Sequence, residues 1–316
     1  MGSERSVGLP AANAAVAVQW TIAFTKPRPL ERFVRALRAT GTDRRGVLGL
    51  ESPQWAAMLA HQPVTRVRFG NEFCQRLLPS GRELQTALDA ASASGLDLGL
   101  AFPMLTDEGL EEADVLLGML PERTEVTVND WGLMRRLARR FPALRPIAGR
   151  LLCKMLKEPR APSAAYLELG GRGFMTPGLQ RLLERFGVSR VEIDVPPFAR
   201  SADLCAPRRR ISVHVPHGFA TTGRICCIGN LHRPMERKFA TGHTCARECL
   251  VYWRELSDSR EPGDAGMGIF QRGNTIFYRY TAAMVQALAA AVTAGSVDRI
   301  VISGDWNAAG SADLGS

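Results

Sequence analysis

The chain has 316 residues, 46% of them hydrophobic and 22% charged, with a formal net charge of +9. This is the composition of an ordinary globular protein, long enough for one large α/β domain or two modest ones, and no run of about 18 apolar residues provides a membrane span. Seven cysteines, an odd number spread widely, exclude a small disulfide scaffold and point to a reducing cytoplasm.

In chain order, strand-like runs fall at 16–24, 65–69, 96–102, 125–128, 145–147, 190–195, 211–215 and 299–303, and helical patterns follow most of them. Leu30, Phe33, Val34 and Leu37 recur at helical spacing, as do Leu179, Leu182, Leu183 and Phe186 after a Thr176-Pro177 start. Arg135, Arg136, Arg139 and Arg140 share one predicted helix. Surface loops are expected at 201–210 and 257–268, and a small polar tail at 308–316. Alternating strands and helices imply a mostly parallel sheet. Eight units fit a (β/α)8 TIM-barrel-like single domain over 1–307, with a doubly wound open sheet as the alternative. Either fold gathers function at the C-terminal strand ends. Those ends read Gly70-Asn71-Glu72-Phe73-Cys74, Asn129-Asp130-Trp131-Gly132, Pro196-Pro197-Phe198, Pro216-His217-Gly218 and Gly304-Asp305-Trp306.

Four cysteines form the main constellation: Cys74 upstream, then Cys226, Cys245 and Cys249 in one block. Thiolates are soft ligands that suit iron–sulfur clusters and zinc. Cys245 and Cys249 lie four apart, on one face of a helix or within reach of one metal from a loop. Cys227 competes with Cys226 as the second ligand. Cys74 joins them if its strand end opens on the same barrel rim. Zinc could instead use the clustered cysteines with His232 or His243, and spacing alone weighs the two metals equally. Cys153 and Cys205 read as small structural residues.

Other residues carry candidate roles. His214 and His217 are possible proton carriers and are taken as the catalytic pair. Asn129, Asp130, Glu192 and Arg224 are taken as substrate-binding, although Asp130 equally suits a helix cap. Glu192 and Asp194 project to the same side of one strand, as an inward polar pair would. Trp131 and Trp306 suit an aromatic pocket or the core. No His-Glu-x-x-His or Gly-x-Ser-x-Gly supports proteolysis; a cysteine paired with His217 is the remaining arrangement for it. The basic charge keeps RNA open as a partner, without any RNA-recognition motif.

Several stretches resemble peptidase family U32, the collagenase-like peptidases, and within it the shorter members associated with anaerobic ubiquinone hydroxylation. They are Val67 through Arg76, Val128-Asn129-Asp130-Trp131-Gly132, Gly149-Arg150-Leu151-Leu152, Arg190-Val191-Glu192-Ile193-Asp194, and Gly223-Arg224-Ile225-Cys226 onward through Cys245 and Cys249. Together they span 64–252. The resemblance implies a TIM-barrel-like fold with a cluster-binding block at 223–253. It also implies a [4Fe–4S] cluster on Cys74, Cys226, Cys245 and Cys249. It implies oxygen-independent hydroxylation of an aromatic or quinone-like small molecule, with prephenate as oxygen donor. RNA-base hydroxylation, or a non-catalytic role beside a second family subunit, are the alternatives. Arg76, Arg150 and Arg224 are then expected to hold the donor's carboxylates. The chain departs from the longer members in reading Ser212-Val213-His214-Val215-Pro216-His217 where they carry a glutamate-led signature, and in placing Ile225 between Arg224 and Cys226.

Overall fold

The computed structural model describes residues 18–38, 64–153, 155–159, 161, 163–168, 173–206, 208–239, 245–256 and 267–305. Trp306, His243 and the 308–316 tail lie outside them, as does most of the expected 257–268 loop. The chain begins with β1 (Gln19–Phe24) and α1 (Pro27–Arg38), then β2 (Val64–Gly70) and α2 (Gly81–Ser92). Next come β3 (Asp97–Phe102), α3 (Asp107–Gly118), β4 (Glu125–Val128), α4 (Trp131–Arg140) and β5 (Arg145–Ala148). After β5 come α5 (Ala164–Glu168), α6 (Pro177–Arg185), β6 (Arg190–Ile193) and β7 (Arg210–Val215). There the chain leaves the parallel sheet for β8 (His217–Thr222), β9 (Arg254–Leu256), β10 (Ile269–Arg272) and β11 (Thr275–Arg279). Helix α7 (Ala282–Thr293) returns it to β12 (Arg299–Ser303).

Strand β12 pairs in parallel with both β7 and β1, so eight strands close in the order β1-β12-β7-β6-β5-β4-β3-β2. The eight strand-like runs of the sequence are these eight strands, and the closed barrel replaces the open-sheet alternative. The helices are set by local chemistry. Ser80 and Glu83 form a reciprocal capping box on α2, and Thr106, Asp130 and Thr281 cap α3, α4 and α7. Leu30, Phe33 and Val34 bury one face of α1, and Leu183 anchors α6. The Arg135–Arg140 charges do lie on one helix, but Arg136 and Arg140 both pair with Asp114 of α3.

The interior is unusual for this architecture, where branched apolar layers dominate. Alternation along β2, β4, β6 and β12 stacks Arg66, Glu125, Arg190 and Arg299 in one layer, with Arg68, Thr127 and Glu192 in the next. In the first layer Glu125 bonds Arg299 at 2.6 Å and lies 3.3 Å from Arg66, while Arg190 takes Asp298 at 2.7 Å. Apolar packing is pushed outward to the strand–helix interface, where Trp20, Phe69 and Phe102 are buried.

The antiparallel sheet, ordered β8-β11-β10-β9, was not expected from sequence. Its strands are short, of three to six residues, so no long alternating pattern marks them. They are held by Phe219, Phe270 and Phe277, and by two tyrosines that reach the barrel. The Tyr278 hydroxyl donates to the Val195 carbonyl and that of Tyr280 to the His214 carbonyl, both at 2.8 Å. The whole insertion is thus an elaborated loop on the C-terminal face after β7.

Gly70 ends β2 at φ +99, where a Cβ would collide with the Ala101 carbonyl oxygen. Gly70→Ala is expected to cost about 1–3 kcal/mol in urea unfolding. A variant as stable as the parent would remove the backbone constraint that aims the following loop.

Candidate metal centre at the barrel mouth

The loop leaving β2 is shaped by its own side chains. The Asn71 carboxamide oxygen accepts from the backbone N–H groups of Phe73 and Cys74, each at 2.9 Å, which turns Cys74 over the barrel mouth. In the insertion, Cys226 is buried and accepts the Gly229 N–H at 3.2 Å. Cys245 accepts the Arg247 N–H at 3.3 Å. Arg247 adopts φ 62 and opens the short 3-10 turn Glu248–Leu250 that carries Cys249. The Cys245–Cys249 spacing therefore works through an irregular loop rather than one helix face.

Cys74, Cys226, Cys245 and Cys249 line a single cavity of about 110 Å³. Cys227 is exposed and Cys226 faces inward, which separates the two adjacent thiols. The cavity lies over the ends of β1 and β12, with Thr25 and Asp305 in its wall and Arg68, Glu72, Arg150 and His214 at its floor. Burial pushes the Cys249 thiol up to about 12, and Cys226, Cys74 and Cys245 push in the same direction. Cys74 and Cys226 are likewise raised, burial first. Three buried thiols that resist ionising together suit a polycation, whose binding expels their protons.

One hairpin tip holds the separate segments. The Asn274 side-chain amide donates to the Phe73 carbonyl at 2.7 Å and to the Gly223 carbonyl at 2.5 Å, tying the residues just before Cys74 and Cys226. Gly273, at φ 62, sits so close that a Cβ would lie 3.2 Å from that of Cys249 and 4.0 Å from the Cys226 sulfur. Arg272 donates through Nε to the Cys249 carbonyl at 2.8 Å and through Nη2 to that of Leu250 at 3.3 Å. In the sequence, Gly273-Asn274-Thr275 is only a further stretch with a family-like look and has no assigned role; the local signal for a turn is a Gly-Asn pair between two alternating runs.

Beneath the thiols, three cations meet three carboxylates. Arg68 bonds Glu192 at 2.5 Å and Glu72 at 3.2 Å. Arg150 bonds Glu72 and Asp194, both at 2.7 Å, and Lys157 bonds Asp194 at 2.5 Å. His214 Nε2 lies 2.8 Å from Glu192. Burial pushes the acids up, but the cations win: Arg150, His214 and Arg68 pull Glu72 below its ordinary value, Arg68 and His214 do so for Glu192, and Arg150 and Lys157 for Asp194. Burial lowers His214, aided by Arg150, despite the two glutamates. Glu72, Glu192 and His214 bring ligand atoms within 4.8 Å of one another. Their carboxylates already balance the arginines, so a divalent ion there would add positive charge to a neutral set.

The remaining expected site residues divide. Arg224 is exposed and lines an open groove of about 770 Å³ that also reaches Cys74, Cys226 and Cys245. Arg76 and Arg247 line the same groove. Arg150 is buried in the ionic network rather than presented in that groove. Glu192 lies in the interior, as an inward-facing polar residue should. Asn129 is consumed by the backbone, donating to the Phe102 carbonyl and accepting from the Leu151 N–H, both at 3.0 Å. Asp130 caps α4 by accepting from the Leu133 N–H at 2.9 Å. His217 packs edge-on against Phe270 at 5.0 Å, outside the set that lines the thiol cavity, and burial lowers its pKa to about 3. That placement keeps His217 out of the lining of the thiol cavity. His232 faces Glu248 at 3.5 Å instead of the thiols. Trp131 packs on Phe186. Cys153 is buried, its thiol pushed up to about 12 by burial. The sequence reading assigned no role to Glu72, Arg68, Arg272 or Asp305.

No protein-family model and no curated protein matches the chain. Among solved structures, a U32 peptidase aligns over 95% of this chain and 97% of its own, with 11% identity and a TM-score of 0.41. A glycoside hydrolase family 18 N-acetylglucosaminidase from Paenibacillus barengoltzii aligns over 91% and 95%, with 9% identity and a TM-score of 0.36. The Bacillus megaterium spore cortex-lytic enzyme SleL aligns over 93% of this chain and 72% of its own, with 9% identity and a TM-score of 0.27.

Arg150→Met would strand Glu72 and Asp194, a loss expected to cost about 3–5 kcal/mol in urea unfolding. An unchanged midpoint would contradict the network. The pH dependence has a fixed sign. The three acids sit below their unfolded values near ~4, so their stabilisation is complete above that pH and drains as pH falls below it. His214, also lowered, takes up its proton more readily in the unfolded chain, so stability starts to fall below about pH 6.5. Unfolding midpoints measured from pH 7 to pH 3 should decline throughout, and more shallowly in Glu192→Gln.

Proposed function

We propose that Cys74, Cys226, Cys245 and Cys249 hold a [4Fe–4S] cluster, and that the chain is a U32-type, oxygen-independent hydroxylase or a subunit of one. One observation carries the reading: four thiols from two distant loops line one cavity at the C-terminal mouth of a barrel. Among the described residues, no three of these thiols come within 4.8 Å of one another. A tetrahedral zinc thiolate site, with Zn–S bonds near 2.3 Å, needs its sulfurs about 3.8 Å apart. A [4Fe–4S] core holds its four cysteine sulfurs farther apart than a single zinc ion does. The N–H groups of Gly229 and Arg247 aimed at two of the sulfurs suit thiolates as well.

A bound cluster would supply the electron-transfer or Lewis-acid chemistry that an oxygen donor requires. The protein's own groups do the rest. Arg76, Arg224 and Arg247 make the outer groove attractive to a small dianion such as prephenate. The neutral ionic floor excludes bulk water without presenting an uncompensated charge. His214, held neutral between two carboxylates at the cavity floor, is placed to take or return a proton at Nδ1 or Nε2. The open, arginine-lined groove also favours a second reading, hydroxylation of an RNA base.

Protein purified without oxygen should carry about four iron and four sulfide per chain. Cys74→Ala, Cys226→Ala, Cys245→Ala and Cys249→Ala should each abolish this, while Cys227→Ala should not. Stoichiometric zinc without iron would overturn the proposal. With the cluster loaded, mass spectrometry of anaerobic mixtures of prephenate and a phenolic acceptor tests hydroxylation. Salt-dependent RNA binding would favour the second reading.

A further inference from the structure

We propose that Asn230 is a positioning residue whose carboxamide N–H bonds the sulfurs of the thiol-bound centre and favours its reduced form. The inference rests on the cluster reading above and deepens it. Residues 227–231 make one short turn around the 3-10 segment Ile228–Asn230. Cys227 and Leu231 are exposed on one side of it, while Cys226, Gly229 and Asn230 are buried on the other. Asn230 is thus turned to the same side as the Cys226 thiol. The segment packs on the Glu248–Leu250 turn that carries Cys249. Leu77, Cys226, Ile228 and Cys249 form one apolar cluster there.

The backbone of Asn230 is already spent. Its N–H donates to the Cys227 carbonyl at 3.3 Å, and its own carbonyl accepts from the Arg233 N–H at 3.0 Å. Its side chain is 0% exposed, and neither Oδ1 nor Nδ2 has a hydrogen-bond partner among the described residues. A carboxamide buried in this way carries its full desolvation penalty, and buried polar groups are nearly always satisfied. Leucine, of similar size, would avoid the penalty. The sulfurs of Cys226 and Cys249 lie in the adjoining cluster. A thiol accepts weakly, whereas a thiolate or sulfide on iron accepts a strong, charge-assisted bond. The loaded centre therefore offers the amide an acceptor, beside the Gly229 N–H that already reaches Cys226 at 3.2 Å. Hydrogen bonds to the sulfurs offset the extra negative charge of the reduced centre and raise its potential.

The test uses full-length protein, purified without oxygen, with iron and sulfide assayed before each measurement. Asn230→Leu should move the reduction potential to more negative values in a spectroscopic redox titration, and should lose iron to a chelator several-fold faster. In metal-free protein the same variant should unfold at the parent's urea concentration or above it, because the amide it replaces gains nothing there. An amide with a purely structural role gives the reverse pattern. A water shared with Glu248, whose Oε2 is also buried and unpartnered, would make Asn230→Leu unfold at lower urea, and that result overturns the inference. A potential equal to the parent's or above it, at full iron content, overturns it too, whatever the rate of iron loss. If Asn230→Leu holds no iron, the metal-free unfolding decides alone, read in the same two ways. Parent protein without iron would instead sink the cluster reading before any variant is made, and this inference with it.

Discussion

The guanidinium of Arg150 joins the parts of this molecule that sequence separates most. It bonds Glu72, two residues before Cys74, and Asp194, just past β6. Its face lies 5.0 Å from the Phe73 ring and 5.6 Å from that of Phe219 in the antiparallel sheet. One planar cation thus couples the ionic interior, the first thiol loop and the inserted sheet. Its worth is conditional, because buried ion pairs gain little over apolar packing when complete and cost much when broken. Here each carboxylate is shared between partners, and Lys157 completes Asp194 while resting 3.4 Å from the Phe219 ring centre. Neutrality of the set is what allows a barrel interior to be filled with charge.

That neutrality also fixes where chemistry can occur. Glycosidases need a pair of carboxylates free to exchange protons or attack. Glu72, Glu192 and Asp194 are held ionised by cations, so the interior acts as a platform rather than as an acid–base pair. The rim above it is where the thiols and the arginine-lined groove meet. Burial on one side and an open groove on the other give Cys74, Cys226 and Cys245 two different environments, a closed floor and an accessible front, while Cys249 lines only the inner cavity.

Much of the fold was legible in the sequence, because each barrel strand is short, apolar on one side and bounded by turn residues. The convergence of Cys74 with the later cysteines was legible for the same reason: strand ends of one barrel open on one rim. The fates of Asn129 and Asp130 were not. A polar residue at a strand end suits ligand binding and backbone satisfaction equally, and only geometry shows that both amide ends of Asn129 are spent. Cys226 and Cys227 were indistinguishable as neighbours until the following 3-10 turn, Ile228–Asn230, turned one inward. The inserted sheet was hidden because its strands are stabilised by distant aromatics rather than by local pattern. Arg150 was expected to hold a donor's carboxylates and Arg272 was given no role, since nothing in the sequence marks which arginine meets a buried carboxylate or a carbonyl pair.

The clasp made by Asn274 acts on a carbonyl 201 residues earlier in the chain. During synthesis, Cys74 emerges long before Asn274, and β12, which closes the barrel beneath it, emerges later still. The Cys74 loop therefore gains this clasp only after about two hundred further residues have been made.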